Sequence, residues 1–170
     1  MGIEIPSAHS QELPPPLQLL RENFPDEIRE AQIANGDAMA LVKAGALLRI
    51  MEFLKSDTRL LFNVLVDITA VDYLGRDPRF EVVYHLLSLP HNYRLRIKAG
   101  VGGDAPKLAS MTGLWGCADW LEREVWDMYG IEFLGHPGLK RILLYPEFEG
   151  HPLRKDYPIR RRQPLIGPKN

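Results

Sequence analysis

A chain of 170 residues with 45% hydrophobic and 25% charged residues suits one globular domain with an appendage. Its formal net charge of -1 offers nucleic acid no global field. No apolar stretch approaches the roughly 20 residues that span a bilayer. The charge is uneven, however. Arg154, Lys155, Arg160, Arg161, Arg162 and Lys169 face only Asp156 in residues 151–170, which therefore carry +5 and leave -6 on the rest.

The start, MGIEIPSAHSQELPPP, has neither the basic end and apolar run of a secretory signal nor the arginines of an organellar leader. Pro6 stands where a myristoylation motif wants Ser or Thr. Membrane association is therefore expected only through a partner. The prolines then open a short helix over 16–23, which Pro25 stops. IREAQIANGDAMALVKA reads as two strands around Asn35-Gly36-Asp37. Ala46, Leu47, Ile50, Met51 and Leu54 recur at helical spacing and predict an amphipathic helix over 43–55.

The period then changes. RLLFNVLVDITAVDYLG predicts a buried strand, RFEVVYHLLSL a second, and YRLRIKAGV, with alternating apolar and basic residues, a half-exposed third. DAPKLASMTGLW predicts a short helix, with Asp104 as cap and Pro106 early in it. ADWLEREVWDMYG is the strongest helical segment. Asp119 and Glu122 stand at capping-box spacing, Leu121, Val125 and Met128 share a face, and Gly130 is the stop. The expected class is α/β (α+β), a small mixed sheet with flanking helices over residues 1–130. Residues 131–170 hold six prolines and four glycines, too many breakers for long helices. They also hold apolar residues from Phe133 to Tyr157 that must lie against something. An extended interface tail is expected.

Several chemistries fail on spacing. The single cysteine, Cys117, excludes an internal disulfide and any cysteine-built zinc or iron–sulfur site, and its apolar neighbours predict a packed thiol. GxxxxGK[ST], GxGxxG and GxSxG are missing. Glu122 and Glu124 lie about 200° apart on a helix and cannot act as a pair. Arg123 is placed to pair with Asp119 or Asp127. Gly-His-Pro occurs at 135–137 and 150–152. One reading makes His136 and His151 metal ligands in a free-standing metallohydrolase. The other makes each motif a turn whose imidazole meets a nearby carbonyl or carboxylate.

EREVWDMYGIEFLGHPGLKRIL resembles the signature of the 30-kDa subunit of respiratory complex I, which in bacteria is the C subunit of NADH-quinone oxidoreductase. Glu122, Arg123, Glu124, Asp127, Met128-Tyr129, His136, Lys140, Ile142 and Leu143 carry the likeness. EGHPLRKDYP resembles a second hallmark, and DITAVDY and FEVVYHLLSL the central strands. The resemblance covers residues 38–158. Residues 1–37 give no match, and the chain stops soon after DYP where many relatives run longer, so distal contacts are not carried over.

The resemblance implies a small α/β domain and a tail packed along neighbouring subunits of the hydrophilic arm. Those neighbours are the 49-kDa-type subunit that forms the quinone cavity, the ferredoxin-like iron–sulfur subunit and other peripheral-arm subunits. It implies no catalytic, cofactor or metal residues in this chain. FMN and iron–sulfur clusters belong to partner subunits, and quinone is the substrate of the complex. The location implied is peripheral, on the cytoplasmic side of a bacterial inner membrane. Buried cross-subunit charge pairs are expected from Glu122, Arg123, Glu124, Asp127, His136, Lys140, Arg141, His151, Arg154, Lys155 and Asp156, with Tyr157 beside them. A relative in a membrane-bound hydrogenase or ferredoxin-linked complex would share these features.

Overall fold

The structure, a computed structural model, describes residues 13–163. Residues 1–12, with His9, and residues 164–170, with Lys169, lie outside the described residues.

Helix α1 (Pro15–Asn23) starts on the proline run and buries Leu17 and Leu20. Strands β1 (Ile28–Ala34) and β2 (Asp37–Val42) form a hairpin. Its turn residues Asn35 and Gly36 have φ of 53° and 86°, the left-handed pair that matches the twist of a two-residue hairpin. A 3-10 turn (Ala44–Ala46) leads into α2 (Leu47–Ser56), which buries Leu47, Ile50, Met51 and Leu54 at the expected spacing. The meander follows as β3 (Val64–Asp72), β4 (Phe80–Ser88) and β5 (Tyr93–Val101). The sheet order is β1-β2-β5-β4-β3. The β2–β5 pair is parallel and the other three pairs antiparallel, so the sheet is mixed.

One face of this sheet packs the core. Ile68 and Ala70, Val82, Tyr84 and Leu86, Leu95, Ile97 and Ala99, and Ala38, Ala40 and Val42 meet the buried sides of α1 and α2. Helix α3 (Ala118–Tyr129) joins the same core through Ala118 and Val125.

The segment expected as a short helix is instead β6 (Lys107–Ala109), paired in parallel with β7 (Glu132–Leu134). A long-range pairing won over local propensity. Leu108 and Phe133 stand opposite each other, both 2% exposed. The core therefore continues past Gly130, through Ile131 and Phe133. Beyond Leu134 the described chain has no helix or strand. No helix among the described residues is long and apolar enough to cross a membrane.

Candidate functional site

After Leu134 the chain turns back as a strap along α3. Both Gly-His-Pro motifs are turns, with φ of 85° at Gly135 and 91° at Gly150. His136 Nδ1 accepts from the Gly138 N–H at 3.0 Å, so its proton sits on Nε2, 3.1 Å from the Asp119 carbonyl oxygen. That nitrogen is also 3.1 Å from the Asp119 carboxylate. His151 Nδ1 donates to the Asp127 carbonyl at 3.0 Å. The two imidazoles thus clip opposite ends of one helix. Eight residues of α-helix separate their targets by about 12 Å, so they cannot share a metal ion whose ligands lie about 2 Å away. Among the described residues no cluster of three metal-ligating side chains occurs.

A helix leaves its last four carbonyls without intrahelical partners. In α3 the Trp126 carbonyl receives the Gly130 N–H at 2.7 Å. The strap supplies the other three partners. His151 bonds the Asp127 carbonyl, the Leu153 N–H bonds that of Met128 at 3.1 Å, and Arg154 Nε bonds that of Tyr129. Gly130 has φ of 72°, and a Cβ there would stand 2.6 Å from the His151 ring and 2.8 Å from Arg154 Nη2. Gly130→Ala should therefore lose about 1–3 kcal/mol, read from urea unfolding, because backbone strain and displacement of a fixed ring act together. A wild-type midpoint would contradict this packing.

Asp127 is the central anchor. Its Oδ2 accepts the backbone N–H groups of Ile142, Leu143 and Leu144 at 3.1, 3.0 and 3.0 Å, and its Oδ1 accepts Arg141 Nη1 at 2.6 Å. Burial pushes this carboxyl's pKa up. The Leu144 N–H, the Arg141 guanidinium and the Ile142 and Leu143 N–H groups outweigh burial and hold it below its ordinary value. Arg141 also donates to the carbonyls of Phe148 and Gly150 at 2.6 and 3.1 Å, closing the strap on itself.

A second anchor lies at the end of β3. Arg79 Nε and Nη2 donate to Asp72 at 2.8 and 2.7 Å, and its Nη1 and Nη2 to Asp156 at 2.9 and 2.8 Å. Asp72 Oδ2 also takes the Lys155 N–H at 2.8 Å. Arg79 lowers the pKa of both carboxyls, and they raise its own. Arg79 and Arg154 each stack on the Phe80 ring, at 4.8 and 5.2 Å from its centre. Sequence reasoning named neither Asp72 nor Arg79. A signal was present, because Asp72 has the strand parity of Ile68 and Ala70, which face the core.

Glu122 is 0% exposed. It does not close a capping box. The N-cap is Cys117 in helical conformation, and no side chain caps the helix. The early N–H groups of Ala118 and Asp119 go instead to the carbonyls of Trp115 and Gly116, at 3.0 and 3.4 Å. Glu122 turns inward, accepting Ser110 Oγ at 2.6 Å and the Met111 N–H at 2.5 Å. Burial raises its pKa against the pull of these two donors. A carboxyl raised on folding favours the folded state most below its unfolded value near 4.5, and that contribution falls as pH rises through the folded value. Glu122→Gln should therefore gain stability relative to wild type between pH 4.5 and pH 7. A constant difference across that range would refute the assignment.

The other expected site residues divide clearly. Arg123 pairs with neither Asp119 nor Asp127. It donates to the carbonyls of Lys140 and Arg141 at 3.2 and 3.1 Å. The Tyr157 ring stacks on Phe148 at 6.1 Å, and its hydroxyl accepts from Gln163. Glu124, Lys140, Lys155 and Asp156 are exposed, although Asp156 holds Arg79. The expected cross-chain pairs of Asp127, Arg141 and Glu122 thus have partners inside this chain. Cys117, expected to be packed, is exposed, with its Sγ 3.5 Å from the Leu65 carbonyl.

Buried charges that hold a strap, with cations and apolar groups turned outward, are the layout of a subunit built for assembly. A sequence model of the family described as "Respiratory-chain NADH dehydrogenase, 30 Kd subunit" matches residues 40–163. The C subunit of NADH-quinone oxidoreductase from Citrifermentans bemidjiense is 45% identical, over 87% of this chain and 92% of that one. Its counterpart in Roseiflexus sp. is 47% identical over 84% and 82%. A solved structure titled "Nqo5 of the trypsin-resistant fragment (1-134)" superposes with a TM-score of 0.63 and 34% identity, covering 72% of this chain and 97% of that one. A chain of an archaeal membrane-bound sulfane sulfur reductase gives 0.67 and 26%, covering 84% and 83%. The chain belongs to the 30-kDa subunit family of respiratory-chain NADH dehydrogenase. It is a subunit of the NADH-quinone oxidoreductase, complex I.

Proposed function

We propose that the chain is a non-catalytic scaffold of the peripheral arm, which keeps the quinone-module subunits in register so that cluster-to-quinone distances stay fixed. In this reading it has two parts, a domain through Leu134 and a docking segment beyond it. A 49-kDa-type quinone-cavity subunit and a ferredoxin-like iron–sulfur subunit are its neighbours. FMN and the clusters reside in partners. The assembly holds it at the cytoplasmic side of a bacterial inner membrane.

The observation that carries this reading is the outer side of the strap. Its anchoring groups point inward, yet Leu143, Leu153 and Ile159 remain 62%, 50% and 101% exposed. Lys140, Lys155, Arg160 and Arg162 are exposed beside them and form no ion pair among the described residues. Apolar groups ringed by unpaired cations fit an acidic partner surface. The relative's trypsin-resistant fragment, matching 72% of this chain, supports a body that stands apart from its docking segment.

Native purification of the tagged full chain tests the scaffold. Recovery with the quinone-cavity and iron–sulfur subunits, and quinone reductase activity in the eluate, is the expected result. A chain recovered alone from membranes that contain the intact complex would reject it. Glutamate in place of both Lys155 and Arg160 should reduce recovery at least about tenfold, since like charges would then face each other. The isolated chain should keep its unfolding midpoint.

A further inference from the structure

Trp120 is 62% exposed on α3, whereas Trp115 of the same chain is 5% exposed. Trp120, Arg123 and Asp127 fall on one stripe of that helix, because seven residues make nearly two full turns. The strap runs along this stripe. Its Lys140 and Arg141 carbonyls meet Arg123, and its 142–144 backbone meets Asp127. Its first turn reaches Asp119 through His136, yet it leaves the neighbouring Trp120 ring largely uncovered.

The uncovered ring is nevertheless held in place. The Arg123 guanidinium lies over it at 5.3 Å and is itself fixed by two strap carbonyls. Arg123 forms no ion pair among the described residues, so the guanidinium over the ring has no carboxylate partner there. A large aromatic group, ordered before binding beneath an unpaired guanidinium, is the side chain on which binding energy concentrates.

We propose that Trp120 is the anchor of a protein interface on α3, separate from the strap's outer leucines. Its occupant is a neighbouring subunit that presents an apolar pocket rimmed by carboxylates. The carboxylates follow from the Arg123 guanidinium, which has no anionic partner among the described residues, and the pocket from the shape of the ring. This site rests on the subunit role proposed above and adds a specific contact to it.

The test uses the full chain within the native complex. Trp120→Ala should leave the far-UV spectrum and unfolding midpoint of the isolated chain unchanged, because the ring is largely exposed. It should lower recovery of partner subunits at least about tenfold. Trp120→Phe should restore most of the recovery. Hydroxyl-radical footprinting should find Trp120 oxidised in the isolated chain and protected in the complex. Wild-type recovery by Trp120→Ala, or equal oxidation in both states, overturns this site while leaving the scaffold role intact. A wild-type chain that recovers no partner overturns the scaffold role itself. Protection of Trp120 by self-association of the isolated chain, read as a concentration-dependent mass, also overturns the proposed occupant.

Discussion

Asp127→Ala is expected to lose about 3–5 kcal/mol of stability, the largest effect of any single change among the groups that hold the strap. The reason is the number of donors left behind. Asp127's side chain is 0% exposed and that of Arg141 14%. Removing the carboxylate strands a nearly buried guanidinium and three backbone N–H groups at once. The effect also has a pH signature. Asp127 titrates below its ordinary value in the folded chain. Its stabilisation is therefore complete above the unfolded value of about 4 and drains away as pH falls through the lower folded value. Urea unfolding of wild type and variant from pH 7 to pH 2 should show curves that converge in acid. A gap that persists undiminished at pH 2 would mean that the carboxylate's charge contributes nothing.

Arg79→Ala comes second, at about 3 kcal/mol. Asp72, with a side chain 0% exposed, would keep only the Lys155 N–H as partner. The strap would also lose its hold through Asp156, so trypsin should cleave after Arg154 and Lys155 faster than in wild type. Asp156→Asn separates the two effects. Asp156 is 51% exposed, so its loss should cost less than about 1 kcal/mol while still loosening the strap. Equal destabilisation by both variants would place the anchor at the surface pair and not at buried Asp72.

The elements governed by local pattern were legible in the sequence. Leu47, Ile50, Met51 and Leu54 announced α2 by their spacing, Asn35-Gly36 announced the hairpin, and the change of period at residue 59 announced the meander. Gly130 stopped its helix as expected. What failed was whatever depends on a distant partner. Lys107–Ala109 looks like the start of a helix until Glu132–Leu134 is known to lie beside it. Glu122 stands at capping-box spacing, yet Ser110 and Met111 offered it donors in a buried place.

The site was legible in the same divided way. Arg123, Asp127 and His136 of the family signature fix the strap, Glu122 holds Ser110 and Met111 instead, and the turn reading of Gly-His-Pro matches the geometry. The direction of the pairing was not legible. Charge runs state that partners exist and do not state on which chain. Asp127 spends its charge on Arg141 within the same chain, while Lys140, one residue earlier, has no anion beside it among the described residues.

The partners of α3's last turn come from residues 151–154, more than twenty positions after the carbonyls they satisfy. A ribosome adds residues in order, so the helix is complete well before its end is closed. Until the second Gly-His-Pro has emerged, that end presents three carbonyls to water and Gly130 has no imidazole against it. A nascent chain arrested before residue 151 would carry a finished sheet and an open helix. Emergence of residues 151–154 and closure of α3 are thus one event, and a product truncated before them would be distinguishable by its frayed final turn.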